Sequence, residues 1–282
     1  MARALVLGST GYIGAHIVRA LLAEGHEVRA AYHREQYLTV INELPVERVR
    51  VDLETSEGLP PALAGCEWVF HAAGYYPTFG MRRAGAIARG VESLRNTLER
   101  IQQANPARLV FTSSAATIQR QRTLYADVKI AMEAEAMRAA AGGMPMVVTN
   151  PSICLGEYDA HAFSGRLILA FAKYRMPCYV DHVLNLIYTG DAGVGHVRAA
   201  ERGRVGAPYL LTTRAMPLKE FAELVARLAG TRPPRWRLPS FVLRSGQALD
   251  GSATTRELGL PQTPIEEAVR RALSWFRASH AL

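Results

Sequence analysis

Ala4-Leu5-Val6-Leu7-Gly8-Ser9-Thr10-Gly11-Tyr12-Ile13-Gly14 decides the fold. Four apolar residues make a short buried strand. Three glycines follow it directly. Ile13–Glu24 then carries Ile17, Leu21 and Leu22 at helical spacing as far as Gly25. A glycine triplet between a strand and a helix is the setting in which such a loop holds a dinucleotide. Gly8 permits the tight turn, Gly11 lets the backbone approach a pyrophosphate, and Gly14 lets the helix pack on the sheet. With Thr10, Tyr12 and Ile13 they bring free N–H groups and a partial positive charge to the phosphates.

Outward from this loop, short apolar runs alternate with helical patterns. Strands are expected at Glu27–Tyr32, Arg48–Val51, Trp68–Ala72, Leu109–Thr112 and Met146–Asn150. Between them lie a long helix at Ala84–Asn105 and an Ala-rich one at Tyr125–Ala141, stopped by Gly142-Gly143. Alternating strands and helices mean a parallel sheet covered on both faces. The expected class is α/β, a Rossmann doubly wound parallel sheet with a small C-terminal α/β substrate lobe. Residues 1–152 form the dinucleotide-binding domain, and 153–282 the smaller substrate-binding lobe, interleaved with the sheet in part. Helices at Ser164–Lys173, Gly190–Ala200, Leu218–Ala229 and Pro264–His280 and strands at Asn185–Tyr188 and Tyr209–Thr212 belong to this second half.

Composition narrows the class. The chain has 282 residues, 49% hydrophobic and 21% charged, enough for a sizeable core and too apolar for disorder. Its net charge is +8, but Lys and Arg are scattered without a basic run interleaved with aromatics, so no nucleic-acid partner is expected. Cys66, Cys154 and Cys178 fit neither a zinc site nor a disulfide framework, and free thiols in a cytoplasmic protein are expected. No run is long enough for a membrane span, no signal peptide is read at the start, and no metal-ligand cluster is foreseen.

At the end of the second strand, Tyr32-His33-Arg34 stands where NAD binders place an acid. His33 and Arg34 suit a 2′-phosphate, so NADP is the favoured cofactor and NAD the alternative. Asp52 and Leu53 follow the third strand, within reach of an adenine. Ala72, Ala73 and Gly74 follow the fourth, small enough for a cofactor to lie flat. Tyr125 and Lys129 share a helical face. The ammonium is expected to lower the phenol's pKa and to hold the nicotinamide ribose, leaving Tyr125 as acid/base for the proton that accompanies hydride transfer. Ser114, ending the fifth strand, can orient a carbonyl. Tyr75, Tyr76 and Phe79, then Tyr158 and Tyr179, are expected to line an aromatic, apolar pocket for substrate.

These residues carry a resemblance. GSTGYIG, Asp52-Leu53, FHAAG at Phe70–Gly74, FTSS at Phe111–Ser114, YADVK and NPSICLG at Asn150–Gly156 are similar to the extended short-chain dehydrogenase/reductase, or NAD-dependent epimerase/dehydratase, family. Asn150–Ile187 resembles its dihydroflavonol-reductase-like members, above all the hopanoid-associated sugar epimerase branch. The resemblance implies Ser114, Tyr125 and Lys129 as the catalytic set and Pro151, Ser152 and Ile153 flanking the nicotinamide. It also implies a homodimer through the 84–105 and 125–141 helices, and structural roles for Asp191 and His196. The sequence departs from the family in four places. Leu7 stands where the family's glycine motif usually begins with Thr. Arg34 is one place later than the family's Arg. Gly90 stands where many members carry an Asn that relays a proton. Ser114 and Tyr125 are 11 residues apart, fewer than in most extended members. The expected activity is NADP-dependent reduction of a ketone or aldehyde of a ring-bearing or lipid-like small molecule. A nucleotide-sugar epimerase or dehydratase with tightly bound NAD, gripped by Arg166 and Lys173, is the alternative. A cofactor-sensing protein without catalysis is the third.

Overall fold

A computed structural model describes residues 1–77, 80–120, 123–160, 162–239, 246–279 and 282 of the chain. The elements in order are β1 (Arg3–Leu7), α1 (Tyr12–Ala23), β2 (Glu27–Tyr32), β3 (Glu47–Arg50), α2 (Leu59–Leu63), β4 (Trp68–His71), α3 (Arg83–Ala104), β5 (Arg108–Thr112), α4 (Ala115–Gln119), α5 (Leu124–Ala141) and β6 (Met146–Pro151). They continue with β7 (Ile153–Leu155), α6 (Gly165–Ala172), β8 (Cys178–Tyr179), β9 (Val183–Tyr188), α7 (Thr189–Arg202), β10 (Pro208–Leu211), β11 (Arg214–Pro217), α8 (Leu218–Ala229), β12 (Trp236–Arg237), α9 (Ser252–Leu258) and α10 (Ile265–Ala278).

Seven strands form the central sheet in the order β10-β6-β5-β4-β1-β2-β3, and every pairing in it is parallel. The period of two along each strand feeds two cores. Ala4, Val6, Phe70, Val110 and Val147 meet α1 and α7 on one face, with Ile17, Val18, Leu21 and Val197. Leu5, Leu7, Val69, Leu109, Phe111 and Val148 meet α3 and α5 on the other, with Leu94, Leu98, Val128 and Met132. Each such side chain contributes about 1.5–3 kcal/mol on burial. The sheet is the expected Rossmann doubly wound α/β arrangement.

The chain returns to this sheet after residue 152. Helix α7 lies on α1, so close that a Cβ at Gly193 would stand 2.7 Å from the His16 carbonyl oxygen. Strand β10 pairs with β6 as the seventh strand. The remaining second-half elements build a third core, with Leu184, Leu186, Phe221, Val225, Val269 and Phe276 between the β7-β9-β11 sheet and α6, α8 and α10. Most element ends lie within a residue or two of the sequence reading. The shifts follow caps: Thr123 Oγ1 accepts from Ala126 N at 3.1 Å and so starts α5 at Leu124.

Strand order reverses between β1 and β4, which opens a crevice at their carboxyl ends. The Gly8 loop and the segment after β4 meet there.

Candidate active site

The glycine loop is shaped by contacts that only glycine tolerates. Gly8 has φ +81°, and a Cβ on it would lie 2.8 Å from the Ala73 backbone nitrogen. A Cβ on Gly14 would lie 2.1 Å from the Gly8 carbonyl oxygen. Gly11 N donates to that oxygen at 2.9 Å, and Ser9 Oγ donates to Ala31 O at 2.9 Å, which ties the loop to the end of β2. The first intrahelical bond runs from Ala15 N to Gly11 O, and no side chain caps the helix start. The N–H groups of Tyr12, Ile13 and Gly14 therefore open the helix with no carbonyl partner a turn earlier. This cradle fits a pyrophosphate. The Tyr12 phenol turns the other way, to Thr189, and burial pushes its pKa up.

At the end of β2, His33 and Arg34 are exposed. His33 Nε2 lies 3.6 Å from Asp52 Oδ2, while Asp52 Oδ1 accepts from Glu54 N at 2.8 Å and Thr55 N at 3.3 Å. His33 and the Asp52 carboxylate thus meet beyond the ends of β2 and β3, and Arg34 follows His33 in the chain, exposed.

At the other end, Ala72, Ala73 and Gly74 leave β4 against Gly8, and Pro151, Ser152 and Ile153 lie where β6, two strands away across β5, passes into β7. The Ser152 Oγ is buried without a hydrogen-bond partner among the described residues, as a group kept for a ligand would be. The small residues of this seam, the glycine cradle and this orphan hydroxyl together fit a dinucleotide. When bound, that cofactor supplies or accepts hydride.

Ser114 caps α4, its Oγ accepting from Ala116 N at 3.2 Å. The Tyr125 phenol faces this hydroxyl and lies against the Tyr76 ring, centroids 5.4 Å apart. Burial raises the Tyr125 pKa, and the hydroxyls of Ser114 and Tyr76 oppose it. The Lys129 Nζ is aimed at Thr112 O, 3.4 Å away. Burial brings the Lys129 pKa down to about 8, and Glu133 acts against it. The ammonium in turn joins burial in holding the His71 pKa down at about 4, so His71 is neutral.

Glu133, one turn beyond Lys129, also organises the floor. Ser113 Oγ, Thr117 Oγ1 at 2.9 Å and Asn150 Nδ2 at 2.6 Å all donate to its Oε2, and Asn150 Nδ2 also reaches Ser114 O at 3.3 Å. The network fixes the backbone that presents Ser114. The sequence reading passed over Glu133, although its i,i+4 spacing from Lys129 was the available signal. Behind β5 and β6, His196 Nδ1 faces Ala192 O at 2.7 Å and so carries the proton, while Nε2, the acceptor, lies 3.0 Å from Thr112 Oγ1 and 2.9 Å from Thr149 Oγ1. Burial holds it neutral, with its pKa down at about 4. Asp191 accepts from Thr263 N and Oγ1 at 2.7 and 2.8 Å. Both are structural in these contacts.

Of the aromatics expected to line a substrate pocket, Tyr76 lies against Tyr125. Tyr75 turns toward α3, donating to Met81 Sδ at 3.5 Å. Tyr158 sits by α1, with the Arg19 guanidinium 3.7 Å over its ring and His16 5.5 Å away. Tyr179 lies on β8, paired with Arg237 of β12. Phe79 lies outside the described residues. Phe163, which no sequence signal marked, stacks on Tyr76. Glu24, His26 and Glu201, half-buried, bring ligand-type atoms within 4.8 Å of one another. They come from two separate stretches, so spacing could not show them. Arg198 bridges Glu24 at 3.1 Å and Glu201 at 3.0 Å. Cys66, Cys154 and Cys178 are free thiols. No helix among the described residues is long and apolar enough to cross a membrane.

Residues 4–209 match the NAD dependent epimerase/dehydratase family. The chain is 31% identical to a Synechocystis sp. protein named "Putative dihydroflavonol 4-reductase", over 96% of this chain and 94% of that one. It is 28% identical to sterol demethylase protein B of Methylococcus capsulatus, over 97% and 98%. Among solved structures, a nucleoside-diphosphate-sugar epimerase from Pseudomonas aeruginosa superposes with a TM-score of 0.88 at 26% identity, covering 99% of this chain and 98% of that one.

Proposed function

The chain belongs to the NAD-dependent epimerase/dehydratase family of extended short-chain dehydrogenases/reductases, enzymes that act on small molecules with a nicotinamide cofactor, and we propose that it is an NADP-dependent reductase of a ketone or aldehyde on a ring-bearing or lipid-like compound. The observation that carries this reading is the setting of Tyr125. Its hydroxyl meets that of Ser114 at the carboxyl ends of the strands, and its ring faces the aromatic pair Tyr76 and Phe163. An apolar ring suits that wall better than a diphosphate does. The likeness to a sterol demethylase component points the same way.

In this reading Ser114 hydrogen-bonds the substrate oxygen and Tyr125 gives it the proton that completes reduction. Lys129 holds the nicotinamide ribose, while Pro151, Ser152 and Ile153 bound the ring. Gly8, Thr10, Gly11, Tyr12, Ile13 and Gly14 hold the pyrophosphate through backbone N–H groups. His33 and Arg34 take the 2′-phosphate, and Asp52 and Leu53 meet the adenosine. The lobe drawn from residues 153–282 covers the substrate, and two copies pair through the outer faces of α3 and α5, where Ile130 is exposed.

Arg34 is exposed at the corner where the 2′-phosphate would lie, so its removal tests the cofactor assignment directly. Calorimetry should find NADPH bound more tightly than NADH, and Arg34→Ala should cut that preference at least tenfold, the loss of one charge-assisted contact. Equal binding of both cofactors by the unmodified chain would remove NADP from the reading. The structural likeness to a nucleoside-diphosphate-sugar epimerase supports a second reading, with tightly held NAD and a nucleotide sugar as substrate.

A further inference from the structure

One apolar surface lies outside all three cores. Ten large hydrophobic side chains are exposed among the described residues, and four of them fall in two neighbouring segments: Tyr174 at 69%, Met176 at 43%, Trp236 at 65% and Leu238 at 38%. Single exposed apolar residues need no explanation, but a group of them marks an interaction surface.

The two segments are held side by side. At the end of α6, Tyr174 N donates to Leu169 O at 3.0 Å and Met176 N to Ala170 O at 2.9 Å. Arg235 N and Trp236 N both donate to Pro177 O, at 2.8 and 3.1 Å, and Leu238 N donates to Tyr179 O at 2.8 Å. β8 and β12 thus form a two-stranded parallel ribbon with Trp236 opposite Cys178 and Arg237 opposite Tyr179. Trp236 and Leu238, two residues apart along it, project the same way.

The charge around this patch is of one sign. Residues 173–181 and 231–239 hold five cations, Lys173, Arg175, Arg232, Arg235 and Arg237, against one carboxylate, Asp181. Their net +4 is half of the chain's +8, in 18 of its 282 residues. Arg237 pairs with Asp181. Arg175, Arg232 and Arg235 are exposed, and none of them is in a salt bridge among the described residues. Two such surfaces repel each other, which disfavours a second copy of this chain as the occupant. Exposed Trp and Tyr with arginines at their rim match the boundary between water and an anionic bilayer, where aromatic rings enter the interface and guanidinium groups meet headgroups.

The patch also lies near the candidate active site. Phe163, which stacks on Tyr76, precedes α6, and Tyr174 follows it. The helix has eight residues, a length of about 12 Å. We propose that this surface docks on an anionic lipid bilayer, with Tyr174, Met176, Trp236 and Leu238 in the interface and Arg175, Arg232 and Arg235 on headgroups. An apolar substrate then reaches the crevice from the bilayer. The docking stands on these surface residues alone, and only the delivery of substrate rests on the proposed reaction.

The test sediments the full chain with vesicles of phosphatidylglycerol and phosphatidylcholine, and with vesicles of phosphatidylcholine alone. Binding to the anionic vesicles should be stronger by at least about tenfold. Emission from Trp236, taken as the unmodified chain minus Trp236→Phe, should shift to the blue on binding. Arg175→Gln combined with Arg235→Gln removes two exposed cations. Each is worth about fivefold near an anionic surface, so the partition coefficient should fall about 25-fold, with thermal unfolding and cofactor affinity unchanged. Equal binding to both kinds of vesicle, equal binding by the double variant, or an unmoved Trp236 emission would overturn the proposal. So would a concentration-dependent dimer that Trp236→Ser dissociates, which assigns the patch to a second copy. Neither cofactor nor ketone is present, so failure to bind vesicles leaves the reductase reading intact, and loss of that reading leaves the docking.

Discussion

Lys129 is the residue whose placement costs most. A buried ammonium loses its hydration, and that loss brings its pKa from 10.5 to about 8. The sign of the stability effect follows. Below pH 8 both folded and unfolded chains hold the proton, and the folded one bears the full penalty. Between pH 8 and 10.5 the unfolded chain binds more protons, so stability rises with pH through that window, by about 3 kcal/mol at most. Lys129→Met should be more stable than the unmodified chain near pH 7, with the gap closing by pH 10.5 in denaturant titrations. A gap that stays constant with pH would show that the ammonium is not buried. Such a cost is tolerated where function needs a cation, here beside the proposed ribose site. Ser114, Tyr125 and Lys129 were legible in the sequence because each stands at a fixed offset from a strand end or along one helix face. Glu133, Phe163 and the His196 contacts were not, because they join positions whose spacing follows from the fold alone. Residues four apart share a helix face, but burial and a strand carbonyl decide where the side chain ends.

Elements here are held by the closeness of their approach. Helix α1 starts on one glycine contact and crosses α7 on another. Gly193→Ala would place a methyl 2.7 Å from the His16 carbonyl oxygen. Overpacking of this kind costs about 1–3 kcal/mol, since backbone must move. The variant should lose that much in chemical denaturation and keep cofactor affinity within a few fold, because the contact is on His16, past the glycine loop that opens α1. Cofactor binding abolished with stability unchanged would contradict the division of labour. The strands of the first half were readable because each is a short apolar run bounded by turn residues. Short pieces such as β8 and β12, two residues each, carry no periodicity at all and exist only through their pairing.

At the scale of the molecule, the Rossmann sheet places two chemistries at one edge: a phosphate cradle after β1 and a hydroxyl pair after β5. The reversal of strand order between β1 and β4 opens the space that joins them. Doubly wound architecture followed from strand–helix alternation. The strand expected at Tyr209–Thr212 and the helix at Gly190–Ala200 were read as parts of a lobe interleaved with the sheet, but the place of β10 as its seventh strand is set by long-range packing rather than by its own pattern. Phe163 of the second lobe meets Tyr76 at this edge, and in the proposed reading that apolar wall favours an apolar ketone over a sugar nucleotide. The direct test is to incubate the purified protein with NADPH deuterated at the transferable C4 position and a panel of apolar cyclic ketones. The account predicts deuterium on the carbinol carbon, one equivalent per NADPH consumed, and a rate lowered about 10²–10⁴-fold in Tyr125→Phe. Retention of NAD through purification, with nucleotide sugars converted and no net NADPH consumed, would contradict it.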